Sequence, residues 1–211
     1  MKLSFPKLKE HKSMSKTQRM TSIAILASCS MLLYYFKIPL PFFPPFLTLD
    51  LSDIPALIGA ITMGPLAGIL VQFVKNIVEY VLHGSYVGFP VGQFANFISG
   101  SLIAGLIGWF YFYRKKLDWT SYGISTLIFL AAMYALNYYF ILPSIMSLLG
   151  LSMEEYTASF AQFNPMVKDM RTAVLFVILP FNLIKISMVY LIGIPFTFKL
   201  VRILQKRSVA I

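Results

Sequence analysis

Read from its amino end, the chain is a succession of long uncharged apolar runs separated by short polar or proline-rich breaks. Thr21 to Phe36 follows a basic leader and, with interfacial ends, predicts a first membrane span over about Gln18 to Phe36. A secretory signal of this length would close on a small-residue cleavage pattern, whereas this run ends at Lys37 and further apolar segments follow. Ile54 to Met63 is too short to cross an average bilayer upright, and Gly64-Pro65 breaks it from Leu66 to Leu82, which predicts a short second span and a third. Gln93 to Tyr113, Ser121 to Ile141 and the long run Thr172 to Phe198 predict the fourth, fifth and sixth. The expected fold is an all-α integral membrane protein with six transmembrane helices.

Composition sharpens this reading. Of 211 residues, 58% are hydrophobic and 12% charged, which excludes a water-soluble domain. The net charge of +10 is not spread over one surface. Lys2, Lys7, Lys9, Lys12, Lys16 and Arg19 lie in the leader, Arg114, Lys115 and Lys116 follow span four, and Lys199, Arg202, Lys206 and Arg207 lie in the tail. In a six-span arrangement these all fall on one side, facing only Lys37, Lys168 and Arg171 on the other. Basic residues mark the cytoplasmic side, so both termini are expected there. The predicted organisation is a basic leader over 1–17, a membrane domain over 18–204 and a basic tail over 205–211. A nucleic-acid or lipid-headgroup role for the charge is the weaker reading beside this topological one.

Two cations remain inside predicted spans, where each costs at least about 2.5–3.5 kcal/mol. Lys75 has Glu79 four residues on, on the same helical face, which predicts a structural ion pair. Lys185 has no acid in its own span and lies roughly 21 Å of helix from either end, too deep for snorkelling. Asn182, three residues earlier, projects from nearly the same face, and Pro180 and Pro195 bracket the two, where they can kink the helix and free carbonyls. Asn137 and Asn96 add amides from spans five and four. Single intramembrane amides usually join helices, but three amides and a lysine converging among Phe and Tyr side chains describe a pocket for a flat polar-edged ligand. The first loop, Pro39 to Asp53, carries four prolines and Phe42, Phe43 and Phe46, and is expected to be pre-ordered and to pack on the bundle as a lid. An aromatic belt at the membrane interface is the alternative reading.

What is missing narrows the chemistry. There is no phosphate-binding G-x-x-x-x-G-K-[ST] loop and no H-E-x-x-H, so the chain is neither a conventional ATPase nor a zinc hydrolase by motif, and ATP drive requires a partner. Cys29 is the single cysteine, and His11 and His83 are the two histidines, which argues against a disulfide or a structural zinc site. Ala24 and Ser28, with Ala27 beside them, form a small-xxx-small stripe that permits close approach of another helix.

These residues carry a resemblance. PLPFFPPFLTLDLSDIPALIGAITMGPLAG, from Pro39 to Gly68, resembles the first loop and second span of the substrate-binding S components of energy-coupling factor (ECF) vitamin transporters. Lys75-Asn76, Gly92-Gln-Phe-Ala-Asn96 and Phe181-Asn182-Leu-Ile-Lys185 are similar to the riboflavin-specific members, while the leader and the Leu149 to Asp169 loop are unmatched. The resemblance implies a multi-pass protein of a bacterial cell membrane that binds riboflavin as transported ligand and needs no cofactor of its own. It implies that Asn137, Asn182 and Lys185 hydrogen-bond the isoalloxazine edge, that Leu47, Thr48 and Leu49 contribute backbone groups, and that Asn96 belongs to the site or its scaffold. It places Ala24, Ala27 and Ser28 against a transmembrane coupling subunit, which acts with two cytoplasmic ATPases. The rivals are the same fold specific for pantothenate or thiamin, an intramembrane enzyme acting on lipid, and an autonomous carrier or channel.

Overall fold

The computed structural model describes residues 14–85, 87–114 and 117–208, and they form seven helices and one short antiparallel pair of strands. Helix α1 (Lys16–Tyr34) opens on a capping box in which the Ser15 hydroxyl accepts from Gln18 N and the Gln18 side chain accepts from Ser15 N. Strands β1 (Ile38–Pro39) and β2 (Thr48–Leu49) then pair with Ile38 opposite Leu49 and Pro39 opposite Thr48, closing the proline-rich loop into a hairpin. Helices α2 (Asp53–Met63) and α3 (Pro65–His83) are separated by Gly64 at φ 99°, a conformation an L side chain rarely adopts, followed by proline at the first helical position. Helix α4 (Val91–Arg114) follows.

The last three helices depart from simple geometry. Helix α5 runs over Trp119–Leu149, α6 is Met153–Ala161, and α7 begins at Met170 and continues through its final stretch Ile194–Ser208. Within α5 and α7 lie three wide π-turns, Asn137–Ile141, Val174–Ile178 and Val189–Gly193. Each is followed two residues on by a proline, Pro143, Pro180 or Pro195. An interior proline lacks an N–H and its ring collides with the carbonyl four residues back; the wider turn accommodates the ring and lets the helix continue. This is why α5 extends past the expected end at Ile141, and why α7 runs on through Pro180.

Two further expectations are revised. The segment between Leu149 and Asp169 holds helix α6, started by a capping box between Ser152 and Glu155. Of the helices in the described residues, α3, α4, α5 and α7 are long and apolar enough to cross a membrane and α2 is the short apolar helix expected. Helix α1, expected as the first span, is not among them, its basic first turn lowering its apolar character.

Three apolar clusters hold the bundle. Short side chains join α1 to α4: Ala27, Ala56, Ala60, Ala67 and Ala104 are buried, and a β-carbon at Gly68 would lie 2.7 Å from the Ala56 carbonyl oxygen. A second cluster, including Leu57, Ile103, Phe129, Met133, Ile186 and Tyr190, fills the middle of α2, α4, α5 and α7. A third, including Leu142, Tyr156, Phe160, Val174 and Ile178, lies at the hairpin end, with Phe43 and Leu47 of the first loop packed against it.

Candidate functional site

The sequence of α5 and α7 alternates between the two larger clusters in a way that leaves a polar layer between them. On α5, Met133 belongs to the middle cluster and Leu142 to the hairpin-end cluster, with Asn137 between. On α7, Ile178 and Ile186 bracket Asn182 and Lys185 in the same manner. Asn137, Asn182 and Lys185 are buried, and Asn96 of α4 is half-buried.

The hydrogen bonds show what this layer has to offer. Asn137 Nδ2 donates to Met133 O at 2.8 Å and Asn182 Nδ2 to Ile178 O at 2.9 Å, each holding the amide against the preceding turn. An amide can donate twice and accept through its oxygen, so these bonds orient the groups without exhausting them. Lys185 Nζ donates to Asn96 Oδ1 at 3.3 Å, which joins α7 to α4. Of the four intramembrane residues singled out from sequence, the structure joins Lys185 to Asn96, with Asn182 one turn before Lys185 on α7, while the Asn137 bond stays within α5. Above them, Leu47, Thr48 and Leu49 are half-buried, and Phe43 meets Phe181 edge to face with ring centroids 5.8 Å apart. The carbonyl of Phe176, four residues before Pro180, accepts from Asn164 Nδ2 at 3.2 Å, so a side chain replaces the missing proline N–H.

The ion pair expected between Lys75 and Glu79 is not the one the fold makes. Lys75 Nζ lies 3.3 Å from Asp53 Oδ1 and donates to Ser52 Oγ at 3.0 Å, while Glu79 Oε1 accepts from the Tyr34 hydroxyl at 3.2 Å. The reason is the position of Asp53 at the first turn of α2, where a carboxylate is favoured by the helix dipole and reaches both neighbouring helices. Its other oxygen, Oδ2, lies 3.3 Å from Lys185 Nζ, and Gln72 Nε2 donates to Oδ1 at 2.7 Å. Asp53 is fully buried. Gly100 on α4 leaves the space for this arrangement, since a β-carbon there would lie 2.7 Å from Asp53 Oδ1 and overlap the Gln72 amide.

Sequence reasoning missed Asp53. Two intramembrane lysines need counter-charges, and an acid heading an apolar helix was the available signal. On α1, Ala24 and Ser28 are exposed, but Ala27 faces inward at 2% exposure and packs in the small-residue cluster. Ala27 therefore does not share an outward stripe with them; its helical phase matches Ile23, Ser30 and Met31.

The structure is thus a helical bundle with four apolar helices of membrane-crossing length and buried amide and lysine side chains between two apolar clusters. Residues 18–196 match the family model of the ECF transporter, substrate-specific component, and the chain belongs to that family. Riboflavin transporter FmnP of Bacillus subtilis (strain 168) is 36% identical over 176 residues, 81% of this chain and 85% of that protein. Riboflavin transporter RibU of Staphylococcus aureus (strain TCH60) is 32% identical over 187 residues, covering 85% and 90% respectively. The solved structure of the S component of a bacterial ECF transporter superposes with TM-score 0.68 at 30% identity, over 90% of this chain and 99% of that one. The chain is thus related to membrane transporter components and not to enzymes.

Proposed function

We propose that this protein captures riboflavin outside the cell and delivers it inward as the substrate-binding subunit of an ATP-driven ECF transporter. The observation that carries the reading is the polar layer of Asn96, Asn137, Asn182 and Lys185 held between two apolar clusters beneath the first loop. Riboflavin matches it: a planar apolar ring system with one edge of alternating carbonyls and N–H. Asn137 and Asn182 meet that edge with both donor and acceptor, and Lys185 donates to an oxygen or ring nitrogen. Backbone groups of Leu47, Thr48 and Leu49 close the site, with the β1–β2 hairpin as its lid.

In this reading six helices, α1 to α5 and α7, span the membrane with both termini cytoplasmic, and α6 lies on the outer face. The basic ends 1–17 and 205–211 flank the substrate-binding domain and hold it in that orientation. Exposed Ala24 and Ser28 offer a close approach to the coupling subunit, which brings two ATPases; the energy for transport arises there.

Visible absorbance of the detergent-purified protein, followed by titration with quenching of riboflavin fluorescence, tests the proposal. Saturable one-to-one quenching supports it, and folded protein that binds pantothenate or thiamin instead overturns it. Lys185→Met should weaken riboflavin binding about ten- to hundredfold, the loss of one charge-assisted hydrogen bond, without unfolding the bundle.

A further inference from the structure

The two buried lysines share one carboxylate. Asp53 Oδ1 faces Lys75 on α3 and Oδ2 faces Lys185 on α7, each at 3.3 Å. Asp50 is also buried and accepts from Ser52 N at 2.7 Å, the residue whose hydroxyl accepts from Lys75 Nζ at 3.0 Å. Two acids and two lysines therefore form a cluster of zero formal charge where α2 begins, immediately after strand β2. Gly100 and Gln72 are shaped around it.

This arrangement has a consequence for the ligand. A lysine ammonium has three donors on a flexible four-carbon stem, and left alone it would sample many positions. Here Nζ donates to Asn96 Oδ1 on α4 and lies 3.3 Å from Asp53 Oδ2 on α2 as an ion pair, so that of its three donors at least one is left for a ligand. Holding the stem from two other helices removes in advance the ordering cost that binding would otherwise carry. Asp53 is also only four residues past Leu49, so the carboxylate that orients Lys185 is built into the end of the first loop.

We infer that Asp53 is a positioning residue for ligand capture: through Lys185 it aims the free N–H at the ring edge of the bound vitamin and ties that contact to the loop above. The inference deepens the riboflavin reading and rests on it. It assigns to the start of α2 a part in binding that its complete burial would otherwise mark as mere framework.

The experiment is a double-mutant cycle read by riboflavin quenching, with wild type, Asp53→Asn, Lys185→Met and both together. Asp53→Asn should weaken binding about tenfold or more. In the Lys185→Met background the same change should add less than about twofold, because residues that act through one another are not additive. Losses that multiply in the double variant would overturn the inference, since they are what independent or purely structural effects produce. Unchanged affinity in Asp53→Asn would overturn it too. If that variant does not fold, Asp53→Asn with Lys75→Met restores the balance of charge with Asp50 and Lys185, and the cycle is run in the Lys75→Met background with the same criteria. Wild-type protein that fails to bind riboflavin overturns the vitamin reading and this inference together, whereas wild-type binding with an uncoupled cycle removes only Asp53.

Discussion

The two halves of the bundle solve opposite problems. From α1 to α4 the helices meet through alanine and glycine, close enough that a β-carbon at Gly108 would lie 2.6 Å from Ala60 Cβ. Without a strong hydrophobic force between helices in lipid, such close packing is what holds them together. From α5 to α7 the contacts are large aromatic and branched side chains, and the helices are interrupted by three proline-linked π-turns. The first half gives up side-chain volume for rigidity. The second gives up regular backbone for polar groups inside the membrane, and Asn137 and Asn182 stand in or next to the irregular turns. A binding subunit needs both, because a flexible framework would spoil the geometry that the irregular helices create.

The strongest way to break this contrast is to add volume to the first half. Gly68→Val places a branched side chain where even a β-carbon would lie 2.7 Å from the Ala56 carbonyl and 2.7 Å from Ala60 Cβ. Backbone cannot retreat as a side chain can, so the variant should lose about 3 kcal/mol, at the upper end of overpacking costs. Thermal unfolding of the detergent-solubilised protein reads the loss; an unchanged transition would show that α2 and α3 are not locked as described.

A smaller effect, on binding more than stability, is expected from making α7 regular. Pro180→Ala restores an N–H that competes with Asn164 for the Phe176 carbonyl and removes the reason for the wide turn at Val174–Ile178. Straightening turns Asn182 and Lys185 relative to the hairpin-end cluster, and riboflavin affinity should fall about tenfold while the melting temperature stays level or rises. Equal affinity would mean that the π-turn is a tolerance of proline with no part in the site. Smaller still is Gly123→Ala on the exposed side of α5, where nothing lies within 4 Å of an added β-carbon; the same thermal measurement should show a gain of up to about 1 kcal/mol.

Much of this was readable from the chain because membrane helices declare themselves by run length and by their breaks. The start of α3 after Gly64-Pro65 and the burial of Asn137, Asn182 and Lys185 required only run length, helical spacing and the cost of burying polarity. The partner of Lys75 did not, since an i,i+4 neighbour was available locally and the actual carboxylate comes from another helix. Helical phase was equally hidden on α1, where apolar residues occur on the open side as well, such as Met20, Ile25 and Leu32, so Ala27 could not be told from Ala24. Helix α6 was a different failure. Its Ser152-x-x-Glu155 capping signature was visible, but it sits in a polar stretch that a search for membrane spans passes over.

The smallest predicted effect concerns how the hairpin-side ends of the second half are fastened. Asp169 caps α7 by accepting from Thr172 N at 2.7 Å, and this bond, with that from the Thr172 hydroxyl, holds its carboxyl below its ordinary pKa. A carboxyl depressed on folding stabilises the folded form above the unfolded value of about 3.9 and loses that contribution as pH falls through the folded value. Amide hydrogen-exchange protection in the first turn of α7 should therefore be level near neutrality and fall only below about pH 4. Glu155, bonded to Ser152 N at 2.8 Å, gives α6 a dependence of the same sign. Asp169→Asn keeps a competent capping oxygen but cannot titrate, so it should abolish the acid dependence at α7 and leave that at α6. If both persist, the acid sensitivity comes from the bundle beneath, and the second half is fastened by its aromatic cluster alone.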